Sequence, residues 1–225
     1  MRITIPLGAT MLLTLLAACS SGPPVPDWKM NAQSSIERFE AAYLNGSVLV
    51  EQTEFQRARE QVGGTGKIDL IARVELLRCA TRVASLAFEP CGGFDALKED
   101  ANDADRAYAS YLAGTAQAAD IALLPASQRA VAGAGSDTQA ASAAAAIPDP
   151  LARLVAAGVL LRANRATPEL LEMAVATASD QGWRRPLLAW LGVQRLRAEQ
   201  AGDTQEAQRI ARRMDIVEKS GKPLN

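Results

Sequence analysis

The 225-residue sequence contains no histidine, so it lacks the commonest general base and the commonest metal ligand of proteins. It also lacks a Gly-x-Ser-x-Gly motif, and without histidine no serine or cysteine has its usual activating base. We therefore expect no catalytic triad, no metal site and no cofactor. Aromatic residues make up only 4% of the chain, whereas alanine is abundant. This composition favours close-packed helices over sheets and predicts an all-α fold of antiparallel helix hairpins.

The chain also has no surplus of positive charge. Lysine and arginine number 24 against 25 aspartates and glutamates, which gives a formal net charge of −1. Nucleic-acid binding usually depends on a basic surface, so we expect no nucleic-acid partner. Basic residues do outnumber acidic ones from Arg184 to Asn225. That excess of basic residues is expected if the region binds an acidic partner or an anionic glycan. It is also expected if the arginines simply lie on the solvated faces of helices.

No apolar run is long enough for a permanent membrane span. Met1 and Arg2 are followed by an uncharged stretch from Ile3 to Ala18, which is shorter than the roughly 20 residues that a transmembrane helix needs. One basic residue, a short apolar core and small residues form the pattern of a secretory signal. The segment 20–26 then contains three prolines, which prevent the helix from continuing.

The apolar stretch ends in the run Leu16-Ala17-Ala18-Cys19. This run resembles the lipobox of bacterial lipoproteins. The resemblance implies that residues 1–18 are a signal peptide and that Cys19 becomes the first mature residue, with acyl chains that bind a membrane. It leaves residues 19–27 as a Pro-rich tether. Ser20 follows the cysteine where the enteric form of the family uses Asp for inner-membrane retention, which implies the outer membrane, facing the periplasm. The alternative is a chance cysteine in an ordinary signal peptide.

Residues 28–130 form the predicted N-terminal helical region. Apolar periodicity predicts helices over 31–44, 47–62, 67–88 and about 94–119, with a shorter one from 120. The glycine-rich segment 63–67 is not a phosphate-binding loop, because Gln61 and Ile68 stand where that motif needs Gly and Ser or Thr. The acidic cluster 99–105 falls inside the fourth predicted helix. We interpret it as a solvated helix face, since Ala104 occupies a position where a calcium loop needs an oxygen ligand.

Residues 131–148 are rich in alanine and glycine. We interpret them as a flexible linker, or as an alanine helix without a distinctive pattern. The C-terminal helix-pair region, 149–225, shows regular capping residues and prolines at helix starts. These signals predict four helices, over 150–164, 168–180, 186–201 and about 203–219.

The four C-terminal helices suggest a repeat, because a shift of 36 residues places the first pair on the second. The stretch from Trp190-Leu191-Gly192 through Gly202-Asp203 to Ala207 resembles a tetratricopeptide hairpin over about 35 residues. Ala211 and Met214 depart from the pattern of that family. The resemblance implies a short stack of helix pairs, and it implies no particular ligand groove.

Two cysteines, Cys79 and Cys91, remain beyond the proposed lipidation site. Outside the cytoplasm such a pair usually forms a disulfide. Cys79 falls inside the third predicted helix and Cys91 in the loop after it, so a bond requires that loop to fold back. The alternative is two buried thiols on facing helices.

These features predict a lipid-anchored cell-envelope protein whose helical domain binds a protein partner. The candidate contact residues are Trp183, Arg184, Arg185 and Trp190, with core packing as the alternative for both tryptophans. One other hypothesis is an enzyme that acts on peptidoglycan through carboxylates, since pairs such as Glu37 and Glu40 exist. The third is a structural lipoprotein without a discrete site.

Overall fold

The structure is a computed structural model that describes residues 24–221. Residues 1–23 and 222–225 lie outside the described part, and with them lie the predicted signal peptide, Cys19 and most of the tether. Residues 24–221 form helices and no strand, which confirms the predicted all-α fold. None of these helices is both long enough and apolar enough to cross a membrane.

Within the described residues the chain forms eleven α-helices and one 3-10 helix. They are α1 (Asp27–Leu44), α2 (Val48–Gly63), α3 (Ile68–Ala84), α4 (Gly92–Asp95), α5 (Asp103–Leu112), the 3-10 helix (Ala118–Leu123), α6 (Ala126–Ala132), α7 (Asp137–Ala145), α8 (Pro150–Arg162), α9 (Pro168–Asp180), α10 (Arg184–Gln200) and α11 (Thr204–Ser220). The first three and the last four agree with the predicted helices to within about four residues at each end.

Helices α1 and α2 form a hairpin around residues 45–47. Gly46 has a φ of +83° there, a conformation that costs glycine little. The rings of Phe39 and Phe55 meet edge to face with their centroids 5.6 Å apart. Val74 of α3 belongs to the same small hydrophobic core, so the hairpin packs on α3.

The other helices share a second, larger core that extends from Ala72 in α3 to Ile210 in α11. Gly158 of α8 lies directly against the backbone of Val83 in α3, and a Cβ atom at this position would overlap the Val83 carbonyl oxygen. Trp190 of α10 is fully buried, and its indole N–H donates a hydrogen bond of 3.1 Å to the Ala84 carbonyl. Helices α3, α8 and α10 therefore meet at the centre of this core.

The fourth predicted helix is wrong as a continuous element. The chain forms α4 and α5 in its place, separated by turns over residues 96–102. The Asn102 side chain accepts a hydrogen bond of 2.9 Å from the Asp105 amide and so starts a new helix. Asp105 is also buried beside Arg73, with 3.5 Å between Oδ1 and the guanidinium, so the acidic cluster is not simply a solvated face.

The flexible linker predicted over 131–148 is also corrected. This stretch contains the end of α6 and all of α7, so the alternative interpretation, an alanine helix, is the one observed. Ala140 and Ala144 of α7 are fully buried in the larger core. Because alanine side chains are small, α7 packs closely against its neighbours without the long side chains that would have marked a buried face.

The C-terminal helices begin where their capping residues predict. Asp149, Thr167 and Asp203 each accept a hydrogen bond from a backbone amide in the first turn of the following helix. The four helices pack consecutively, α8 on α9, α9 on α10 and α10 on α11. They share the larger core with α3 to α7, so helices from both the predicted N-terminal and the predicted C-terminal region contribute to one core.

Candidate functional site

Three of the four predicted partner residues are engaged within the chain. Trp190 is buried in the core, so the expectation that it lies at a binding face is wrong. Arg184 donates a hydrogen bond of 2.5 Å to the Asn45 carbonyl, and Arg185 donates one of 2.7 Å to the Tyr43 carbonyl. The Arg185 guanidinium also lies 4.4 Å from the centroid of the Tyr43 ring. These two arginines therefore connect the start of α10 to the end of α1 by hydrogen bonds.

Trp183, the fourth residue, lines an open cleft of about 410 Å³ between the hairpin and the rest of the domain. We call it the acid–aromatic cleft. Its wall comes from α1, α3, α5, the start of α8 and the residue that precedes α10. The lining residues are Glu37, Glu40, Ala41, Leu44, Leu77, Ala80, Tyr108, Asp149, Pro150, Leu151, Ala152, Val155 and Trp183.

The charged groups of the cleft are all acidic. Glu37, Glu40 and Asp149 line it, and among residues 24–221 no lysine or arginine does. None of the ion pairs in residues 24–221 involves these three carboxylates. Asp149 accepts a hydrogen bond of 2.7 Å from the Ala152 amide, and Glu37 accepts one of 2.9 Å from Gln33. The cleft therefore carries negative charge without a basic counterpart.

Glu40 shows the electrostatic consequence of this arrangement. The pKa of Glu40 is raised from an ordinary 4.5 to about 7, mainly by burial and to a smaller extent by the neighbouring charges of Asp149 and Glu37. Burial likewise raises the pKa of Tyr108, with smaller contributions from Glu40 and Asp149. Tyr108 lines the cleft, and its hydroxyl makes no side-chain hydrogen bond within residues 24–221. A polar ligand would find an unused donor there.

A second cavity, of about 420 Å³, lies on the other side of Tyr108. It shares Leu77 and Tyr108 with the acid–aromatic cleft, so the two are neighbours. Its charged lining is mostly basic, because Arg73 and Arg129 accompany Asp105. The charged lining residues are therefore acidic in the cleft and mostly basic in the second cavity.

The other carboxylates singled out from the sequence, Glu51 and Glu54, have structural partners. Glu51 is buried and lies 2.7 Å from the Arg78 guanidinium, and Glu54 lies 2.7 Å from that of Arg38. The hydrogen bond from Arg38 lowers the pKa of Glu54. These pairs join α2 to its neighbours, so they are not available as a catalytic pair.

Cys79 and Cys91 form a disulfide across 5.8 Å between their Cα atoms. The bond ties α3 to the residue that precedes α4, so the intervening loop does fold back. Among residues 24–221, no group of three or more Cys, Asp or Glu side chains has an arrangement that could hold a metal ion.

The sequence signalled only part of this cleft. The spacing of Glu37 and Glu40 places both on one helix face, and Asp149 is recognisable as a helix cap. Nothing in the local pattern connects them with Tyr108 or Trp183, which lie far away along the chain. No protein-family model, no curated protein and no solved structure matches this chain. The tetratricopeptide resemblance therefore remains a local likeness in sequence.

Proposed function

We propose that this chain is a lipid-anchored cell-envelope protein, held at the periplasmic face of the outer membrane, whose helical domain binds a protein partner. The run Leu16-Ala17-Ala18-Cys19 supports the location. Helix α1 begins at Asp27, eight residues after Cys19. At about 3.1 Å per residue, a Pro-rich segment of that length extends about 25 Å, which keeps the domain close to the membrane.

One observation carries the binding role, namely the unpaired negative charge of the acid–aromatic cleft. Glu40 is partly buried and takes part in no ion pair among the described residues. Its raised pKa indicates that keeping this carboxylate ionised is costly for the fold. Natural proteins usually retain such an arrangement where a ligand uses it. An open cleft at the junction of two helical parts is also a common place for ligands to bind.

The location is tested by replacing the anchor residue. We expect Cys19→Ser to abolish acylation, detected as loss of the lipid mass, and to move the protein from the detergent-rich phase to the aqueous phase. One acyl chain gives only marginal anchoring and two or more give stable anchoring, so the shift should be nearly complete. Ser20→Ala in the same vector is the matched control. A Cys19→Ser protein that stays membrane-bound would contradict the location.

The binding role is tested by chemical crosslinking in whole cells followed by purification of the tagged protein. A reproducible protein partner that depends on the folded domain supports the proposal. If the chain crosslinks to no protein, the third hypothesis, a structural lipoprotein without a discrete site, is favoured instead.

A second candidate function, an enzyme that acts on peptidoglycan through carboxylates, gains support from one feature of the same cleft. A carboxyl group with a raised pKa beside a second carboxyl group is the kind of pair that glycoside hydrolysis uses. Glu40 and Asp149 fit that description. The test is the release of soluble fragments from purified sacculi. Turnover that Glu40→Gln abolishes would establish the enzyme, whereas no turnover leaves the binding role.

A further inference from the structure

We infer that the acid–aromatic cleft binds a lysine or arginine side chain of a partner polypeptide, whose neighbouring residues lie over the second cavity. This inference rests on the proposed binding function and specifies the chemistry of the partner. It follows from three features of the described residues: the charge of the cleft, the chemistry of its walls and the position of the second cavity.

The negative charge of the cleft favours the binding of a cation. Glu37 and Glu40 belong to α1 and Asp149 precedes α8, and no basic side chain of the described part of the chain lines the cleft with them. A bound ammonium or guanidinium group would supply the missing counter-charge. Complementary charge across an interface steers association and discriminates between partners, so a cation is favoured here over a neutral or acidic group.

The walls of the cleft suit a cation on an apolar stem. Leu44, Leu77 and Leu151 line it together with the rings of Tyr108 and Trp183. Lysine and arginine side chains pack their methylene groups along apolar surface while the charged head reaches polar groups. The two rings can also attract a cation through their faces. A small inorganic cation would make no use of these apolar walls.

The second cavity argues for a polypeptide rather than a free amine. It adjoins the cleft across Leu77 and Tyr108, and Leu123, which lines it, is 43% exposed. Arg73 and Arg129 lie at this cavity, where an acidic residue of the bound segment would meet them. An extended peptide with a basic residue followed closely by an acidic one matches both parts.

Binding of this kind should strengthen as pH rises. The groups that face Glu40 are Glu37 on its own helix, Asp149 from α8 and Tyr108 from α5, whereas α3 contributes only Leu77 and Ala80. Because the pKa of Glu40 is about 7, its ionised fraction rises about tenfold between pH 6 and pH 8. Lysine remains charged throughout this range, so we expect the affinity for a lysine peptide to increase by up to about tenfold.

The test is isothermal titration calorimetry on the full-length lipidated protein in detergent micelles. Three probes are compared: the peptide acetyl-Leu-Lys-Ala-Glu-amide, its counterpart with norleucine in place of lysine, and n-butylammonium chloride. We expect the lysine peptide to bind at least about tenfold more tightly than either of the others, because only it uses both the charge and the second cavity.

The matched variants are Glu40→Gln with Asp149→Asn as a pair, and Glu172→Gln as the control. Asparagine caps helices about as well as aspartate, so the pair removes charge while the start of α8 is kept. Glu172 is exposed on α9 and lines neither cavity. We expect the pair to weaken the lysine peptide at least about tenfold and to remove the pH dependence, with the control unchanged. Circular dichroism checks that each variant is folded.

Four results would overturn the inference: equal binding of the norleucine peptide, unchanged binding by the paired variant, equal affinity for n-butylammonium, and no binding of any probe at millimolar concentration. Failure here is distinguishable from failure of the proposed function. If the crosslinked partner is still captured by the paired variant, the protein binds a partner elsewhere and only the assignment of the cleft fails.

Discussion

The α1–α2 hairpin and the larger helical body are held together by different forces. The hairpin has a small core around Phe39 and Phe55, and its contacts with α3 include the buried carboxylate of Glu51 against Arg78. The body relies on close packing of alanine and leucine, on the contact of Gly158 with Val83, and on buried Trp190. We therefore expect the stability of the hairpin to depend mainly on its ion pairs, and the stability of the larger helical body to depend mainly on close packing of its side chains. The acid–aromatic cleft lies where the two meet.

The largest expected effect is in the body. Trp190→Ala should lower the free energy of unfolding by about 3–5 kcal/mol, because it leaves a large cavity between α3, α8 and α10. It also leaves the Ala84 carbonyl without its indole donor. Urea unfolding measures the change. Trp28→Ala, at the edge of the hairpin core, is the matched control and should cost clearly less. Equal costs would contradict the distinction between the two cores.

The disulfide provides the next largest effect, also in the body. Reduction, or the double substitution Cys79→Ser with Cys91→Ser, should lower the free energy of unfolding by about 2–3 kcal/mol, the usual contribution of a bond that closes a short loop. Mass spectrometry of protein purified from detergent-solubilised membranes without reductant should show a gain of two hydrogens on reduction. Native protein without that gain would show that the thiols are free.

In the hairpin, the expected effect comes from charge. Arg78→Met should cost about 2 kcal/mol, because it leaves buried Glu51 with only the more distant Arg82, 3.8 Å away. Hydrogen exchange should become faster in α1 and α2 and stay unchanged in α8 and α9. Arg57→Met, a partner of Glu54 with an exposed side chain, is the control and should have little effect. Faster exchange throughout the chain would show that the hairpin and the body open together.

Local signals explain why part of this architecture could be predicted from the sequence. Asp149, Thr167 and Asp203 act as caps, so helices α8, α9 and α11 begin where expected. Helix α7 was not assigned, because buried alanine and exposed alanine have the same side chain. The break before α5 depends on a single capping residue, Asn102, inside a stretch that otherwise favours a helix.

The candidate site could be predicted less well than the helices, because it depends on which helices pack together in the tertiary structure. Trp183 lines the cleft, whereas Trp190 has the same residue type and lies in the core. No periodic pattern distinguishes the two, because the difference arises from which helix each one faces. Tyr108 was assigned to a helix that proved to be interrupted, so its position beside Glu40 could not be inferred.

The smallest predicted effect lies at the boundary between the two parts. The pKa of folded Glu40, about 7, is above its ordinary value of 4.5, so the fold favours the protonated carboxyl group. The associated stability is fully present below about pH 4.5 and is lost as pH rises through 7. Glutamine cannot ionise and keeps this stability at every pH. After allowance for partial exposure, Glu40→Gln should raise the free energy of unfolding at pH 8 by about 1–2 kcal/mol.

Urea unfolding at pH 4.5, 6 and 8 measures this difference, which should be near zero at the lowest pH and grow steadily. Glu172→Gln should give no such trend. Glu54 provides the opposite case within the hairpin, because its pKa is lowered and its contribution is lost as pH falls. The contributions of Glu40 and Glu54 to stability should thus respond to pH in opposite directions. If the difference in unfolding free energy between Glu40→Gln and the parent protein is the same at pH 4.5 and pH 8, the carboxylates of the cleft are well solvated. The proposal of a bound cation would then lose its electrostatic support.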